Sequence, residues 1–162
     1  MGDKDINIVS ISDTADKKNL IYLLKYDSIY GKLNSEIHET ETGIVVDDKE
    51  IIFNSWKDGD EADWVKIGTD VVILATGKPK TKKEVDVHLS KGCKKVIVAS
   101  TPDNFKDIQI FVPGANDENI DFKSNVFSLG SNTANAVAPI LKALDKDCLL
   151  YTSDAADDLL CV

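Results

Sequence analysis

The chain contains no arginine; all 19 of its basic residues are lysine. A planar bidentate clamp on carboxylate or phosphate cannot be built from it, and anion binding falls to lysine and to backbone N–H groups. Cysteine is scarce. Cys93, Cys148 and Cys161 stand at no metal-binding or redox spacing, so neither a zinc site nor a disulfide framework is expected, and a reducing, cytoplasmic setting fits best. No apolar run approaches the ~20 residues of a membrane span, and the first seven residues are too polar for a signal core. Positive charge is also in deficit. The formal net charge is −9, which disfavours nucleic acid or an anionic lipid surface as a partner.

What is present is an ordinary globular composition, 43% hydrophobic and 29% charged over 162 residues. Such a chain can bury a core without covalent staples. Residues 6–11 (INIVSI) read as a short strand. A helix follows, with Asp13, Thr14 or Asp16 as its N-cap and Leu20, Leu23 and Leu24 on one face. Residues 26–32 (YDSIYGK) end it. The stretches 32–39 and 43–53 read as a strand meander with turns at 41–43 and 47–48, and an acidic loop over 57–63 leads to Trp64.

The second half changes rhythm. Residues 70–75 (DVVILA) predict a strand buried on both faces. A helix over 81–90 has Val85 and Leu89 inward and Gly92 as its stop. Strands are expected at 95–99, 108–112 and 125–128. Residues 131–144 read as a loop entering a helix with Pro139 in or near its first turns. This alternation predicts an α/β fold, an incomplete Rossmann-type, doubly wound, mostly parallel sheet with a small β-meander insertion.

Two places could carry chemistry. Asp13 stands where the first strand ends, and a carboxylate there can accept hydrogen bonds from an adenosine ribose and repel a 2′-phosphate. A solvated helix cap is the simpler account of the same residue. The second place is the turn 128–135 (SLGSNTAN), where a strand feeds a helix N-terminus that could hold an anion or a nucleophile. An ordinary cap by Ser131 or Asn132 would explain it equally. His38 and His88 read as structural or surface histidines.

The order of these segments resembles glyceraldehyde-3-phosphate dehydrogenase from about Ile6 to Asp147. Residues 26–32 resemble that family's YDS-x-x-GK segment. Trp64, Gly68 and the run into 75–77 (ATG) resemble its tryptophan and S-T-G turn. His88-Leu89 with 92–98 (GCKKVIV) resembles its HL-x-x-GAKKVIIS helix and strand, and 113–116 (PGAN) its MGVN. Residues 128–139 (SLGSNTANAVAP) lie over its SNASCTTNCLAP.

The resemblance implies an enzyme of glycolysis that oxidises an aldehyde phosphate with NAD and inorganic phosphate. In that family a cysteine thiolate attacks the aldehyde, hydride passes to the nicotinamide, and phosphate cleaves the thioester. It implies NAD rather than NADP as cofactor, with Asp13, Thr76 and Gly77 as cofactor-binding residues. It implies Ser131 and Thr133 as phosphate-binding residues, a homotetrameric parent and a cytoplasmic location. Position 132 is the family's nucleophile, but here it is Asn132, and an amide cannot form the thioester. Ala136 replaces the second cysteine and Ala134 a threonine, so the motif reads as diverged and the chain is expected to be inactive. No metal is implied.

Residues 1–147 are therefore expected to be a partial NAD-binding domain that lacks the family's first strand, its Gly-rich turn and its substrate domain. The run 148–158 (CLLYTSDAADD) resembles a translated sequencing adapter, so 148–162 are expected to be foreign to the natural protein. Three readings follow: a fragment of a dehydrogenase-like protein, a non-catalytic NAD-binding regulatory or partner subunit, and different chemistry with Asn132 as a hydrogen-bond donor. The fragment is expected to bind NAD weakly or not at all.

Overall fold

A computed structural model describes residues 5–146. Two compact units divide them. One comprises 5–72 with 86–94, the other 73–85 with 95–146.

The first unit is built on β6 (Lys49–Asn54), which pairs on both sides. Strand β1 (Ser10–Ser12) runs parallel to it, with Ser10, Ile11 and Ser12 opposite Ile52, Phe53 and Asn54. On its other side β5 (Gly43–Val46) and then β4 (Ile37–Glu39) form the antiparallel meander, so the sheet order is β1-β6-β5-β4. The turn between β5 and β6 falls at Asp47, which adopts a φ of 54°, a region that Asp tolerates better than most residues. Gly43 has a different reason to be glycine. A Cβ there would collide with the Ile51 carbonyl, so the close approach of β5 to β6 depends on it.

Helix α1 (Lys17–Lys25) starts at Asp16, whose carboxylate accepts from the amides of Lys18 at 3.0 Å and Asn19 at 3.2 Å. Of the three expected caps, Asp16 is the one used. Leu20, Leu23 and Leu24 line an apolar groove of about 310 Å³ together with Ile11, Ile44 and Phe53. The helix ends in a two-stranded hairpin, β2 (Tyr26–Asp27) and β3 (Gly31–Lys32). Asp27 ties that hairpin's tip by accepting from the amides of Ile29 and Tyr30. These bonds hold its carboxyl below the usual carboxylate range.

Trp64 opens a short helix, α2 (Trp64–Ile67), which the sequence reading missed. The Trp64 indole is buried, edge-on to Trp56 and tilted against the His88 ring. Cys93 is buried in the same unit and donates to the His88 carbonyl at 3.2 Å.

The second unit holds most of a three-stranded sheet of order β7-β8-β9: β7 (Val71–Leu74), β8 (Lys95–Val98) and β9 (Val126–Ser128). Strands β8 and β9 are parallel. Val96, Val98, Ile108, Val112, Val126 and Phe127 form the core, together with Val85 from α3 (Lys82–Ser90). Thr81 caps α3 in a reciprocal box: Glu84 donates its amide to the Thr81 hydroxyl, and its carboxylate accepts from the Thr81 amide. Helix α4 (Asn132–Lys146) closes the described chain.

Four expectations need correction. Residues 6–9 form no regular strand; apart from the Val9 carbonyl, which accepts from the Ile52 amide, the pairing with β6 covers only Ser10–Ser12. Strand β7 is not buried on both faces. It is an edge strand, and Val71 and Ile73 are exposed while Val72 between them is buried. Residues 108–112 make a single parallel bridge, Ile110 to Ser128, rather than a strand. Part of their backbone is engaged elsewhere: the Asn116 side chain accepts from the Val112 amide and donates to the Ile110 carbonyl. Pro139 sits eight residues into α4, beyond its first turns. It therefore removes one internal hydrogen bond of that helix.

Candidate functional site

Each predicted site residue lies just past the last residue of a strand. In parallel α/β sheets that is where ligands bind, because helix N-termini and loop amides converge there. Asp13 follows β1. Thr76 and Gly77 follow β7. Ser131, Asn132 and Thr133 follow β9. Asp13 belongs to the first unit and the other five to the second.

The Asp13 turn is held at both ends. Its amide donates to the Asn54 carbonyl at 3.0 Å, continuing the β1–β6 ladder by one bond. One carboxylate oxygen, Oδ1, accepts from the Ala15 amide at 2.8 Å. The residue is exposed. Asn54 was not anticipated as part of this turn. Its side chain donates to Ser10 Oγ at 2.8 Å, and the sequence signal for it is a polar residue closing an otherwise β-branched and aromatic strand.

In the second unit Gly77 takes a φ of 71°, which suits glycine at the sharp exit from β7. The turn after β9 is better tied. Ser128 is fully buried; its hydroxyl donates to the Ser100 carbonyl at 2.7 Å and accepts from the Gly130 amide at 3.0 Å. Ser131 Oγ accepts from the Ala134 amide at 3.1 Å, so Ser131 is the N-cap and Asn132 the first helical residue. Asn135 reaches back and donates to the carbonyls of Leu129 at 2.6 Å and Ser131 at 3.0 Å. Ser131, Asn132 and Thr133 are all exposed.

Other nucleophile candidates are poorly placed. Burial pushes the Cys93 thiol up from its ordinary value, which keeps it protonated and inert. Cys148, Cys161 and the whole 148–162 segment lie outside the described residues. His38 is exposed on β4 beside Glu36, and His88 packs on Trp64. Among the described residues, no three His, Cys, Asp or Glu side chains gather as a metal site.

Parallel strands whose carboxyl ends carry these turns, joined by helices, define a Rossmann-type nucleotide-binding domain. The sequence comparison makes the assignment specific. The chain belongs to the family of the glyceraldehyde 3-phosphate dehydrogenase NAD-binding domain, which matches it over residues 1–82. Glyceraldehyde-3-phosphate dehydrogenase of Thermotoga maritima is 36% identical over 140 residues, covering 86% of this chain and 41% of the relative. That of Geobacillus stearothermophilus is 39% identical over 141 residues, 86% of this chain and 42% of the relative. That of Streptomyces coelicolor is 39% identical over 144 residues, 88% of this chain and 42% of the relative. The chain thus spans about two fifths of the length of the curated relatives it matches.

The family's cofactor is NAD. Its adenosine ribose presents two hydroxyl donors, and the exposed Asp13 carboxylate, with its backbone fixed beyond β1, fits them. The pyrophosphate calls for a Gly-rich turn or a cation. The sequence holds no G-x-G-x-x-G run and no arginine, so that role falls to lysine and backbone amides. The ribose end is where the residues present fit the cofactor.

Proposed function

We propose that this chain is the NAD-binding part of a glyceraldehyde-3-phosphate dehydrogenase-like oxidoreductase whose nucleophile position has lost its chemistry. The observation that carries the cofactor half is Asp13, an exposed carboxylate on a fixed backbone at the carboxyl end of β1. Asp13 accepts the ribose diol and disfavours a 2′-phosphate, while Thr76 and Gly77 line the exit of β7 on the cofactor's path. NAD, when bound in this family, supplies the hydride acceptor. Ser131 and Thr133 are the residues for a substrate phosphate. Asn132 stands where a thiolate would attack, and a carboxamide nitrogen is not nucleophilic enough to take that role. The parent protein is cytoplasmic and tetrameric in this reading, and 1–147 form a partial Rossmann domain with 148–162 foreign to it.

The test has two arms. With NAD, the aldehyde phosphate and inorganic phosphate, the unmodified chain is expected to form no reduced nicotinamide; turnover would refute the proposed loss of chemistry. In an NMR titration, ADP-ribose is expected to shift the Asp13 and Ala15 amides with millimolar affinity, and Asp13→Ala to abolish the shifts. Unmoved amides in the unmodified chain would refute the cofactor assignment.

One observation favours a second reading, a non-catalytic NAD-binding regulatory or partner subunit. The Ser131 cap and the Asn135 clamp around position 132 are intact, so the frame of the turn persists without its nucleophile. An Asn at this position in a full-length gene that keeps the rest of the dehydrogenase would support that reading.

A further inference from the structure

We infer that Ser10 and Asn54 form a positioning brace for Asp13, fixing the direction in which its carboxylate meets the cofactor ribose. The inference rests on the NAD reading and adds two residues that act through Asp13 without touching the ligand.

Strand β1 is three residues long, and among the described residues it pairs only with β6. Such a strand has little to hold its end where the two strands part. After Asn54 the chain leaves toward Trp56 and after Ser12 it leaves toward α1, so the last ladder bond, Asp13 amide to Asn54 carbonyl, sits where the strands diverge. Asn54 makes a second connection to β1 with its side chain. Nδ2 donates to Ser10 Oγ at 2.8 Å in a partly buried setting. One residue therefore grips β1 at two points, three residues apart. The lower point fixes the strand's height against β6 and the upper point fixes the amide of Asp13.

The residue types support a dedicated pair. Neighbouring positions on both strands are Val9, Ile11, Ile52 and Phe53. A half-buried serine or asparagine among them costs stability unless it finds a partner, and aliphatic residues would suit these strands better on propensity alone. Here the Asn54 Nδ2 donor and the Ser10 Oγ acceptor meet. The gain is in direction: a side-chain bond accepts a narrower range of geometries than apolar contact.

The test uses the full chain with ADP-ribose and its 2′-phosphorylated form as probes, followed by amide NMR. Ser10→Thr keeps an oxygen acceptor, and Ser10→Val is its near-isostere without one. Ser10→Val and Asn54→Leu are expected to weaken ADP-ribose about fivefold, the worth of one such bond. They should also narrow the preference over the 2′-phosphorylated form and speed hydrogen exchange of the Asp13 amide. Ser10→Thr is expected to remain within about twofold of the unmodified chain. A defect of the first unit as a whole would speed exchange throughout it, so the Asp47 amide, bonded to the Glu36 carbonyl in the same unit, serves as the internal control. Unchanged affinity and preference in Ser10→Val, while Asp13→Ala loses both, would overturn the brace. Absence of ADP-ribose binding in the unmodified chain would overturn the NAD reading and the brace with it.

Discussion

The turns after β1 and after β9 solve one problem in two ways. Each carries the chain from a strand end into a helix, and each caps that helix with a side-chain oxygen, Asp16 for α1 and Ser131 for α4. They differ in what holds them. The first is held by the neighbouring strand through Asn54. The second has bonds of that kind too, the Leu129 amide to the Val98 carbonyl and the Ser128 hydroxyl to the Ser100 carbonyl, and adds a clamp from within, Asn135 of its own helix reaching back to Leu129 and Ser131. A turn braced by its own helix can change an exposed residue without losing shape. The β9 turn has that form, with exposed Asn132 in a frame that is capped and clamped. Frame and chemistry are separable there. In the β1 turn they are less so, because Asp13, the residue proposed for the ribose, is also the one whose amide ends the ladder.

The largest test of this contrast is Gly43→Ala. The new Cβ would collide with the Ile51 carbonyl and push β5 from β6. Overpacking of this kind costs ~1–3 kcal/mol. Hydrogen exchange should show the Asp13 amide losing protection while the Leu129 amide keeps its own. Equal loss at both would mean that the two units unfold as one, and the contrast between the two turns would fail.

Removing the caps gives the next effect. Asp16→Ala and Ser131→Ala should each cost ~1 kcal/mol in chemical denaturation. Only the Asp16 variant should lose part of its deficit at high salt, since a carboxylate at a helix N-terminus also interacts with the dipole and a hydroxyl does not. Identical salt responses would show that the two caps act in the same way.

The smallest effect concerns pH. The Thr81 amide, and after it the Thr81 hydroxyl, hold the Glu84 carboxyl below the usual carboxylate range. A depressed folded-state value means that Glu84 stabilises the fold above its ordinary range and that this contribution is lost as pH falls through the folded value. Because the group is largely exposed, solvent screening limits it to a few tenths of a kcal/mol. Glu84→Gln should flatten that part of the acid limb in a urea-denaturation series, and an unchanged limb would show that the box does not couple to pH.

Much of the fold could be read directly from residue order. The β-branched runs at 43–53 and 95–98, the cap candidates that include Asp16, and the stop at Gly92 are local features, and local backbone preference decides them. The cap–box pair Thr81 and Glu84 lies within one turn, so its chemistry is visible in four letters. The misreadings concern pairing, which composition does not show. Residues 108–112 have strand composition, but they make only one bridge, Ile110 to Ser128, while the Asn116 side chain takes the Ile110 carbonyl and the Val112 amide. Residues 70–75 have the composition of a doubly covered strand, yet β7 is at a sheet edge, and neighbours rather than composition determine exposure.

For the site, the sequence alone determined which residue types stand at the strand ends. Asp13 is a carboxylate, Asn132 is not a nucleophile, and no arginine is at hand for a phosphate. These are matters of side-chain chemistry, which no fold can alter. Only the tertiary structure decided what holds those residues. Asn54 follows Ser10 by 44 positions, and no pattern in the letters joins them. The parallel pairing of β1 with β6 brings that asparagine back across the meander, because a hydrogen bond depends on distance in space and not on separation along the chain.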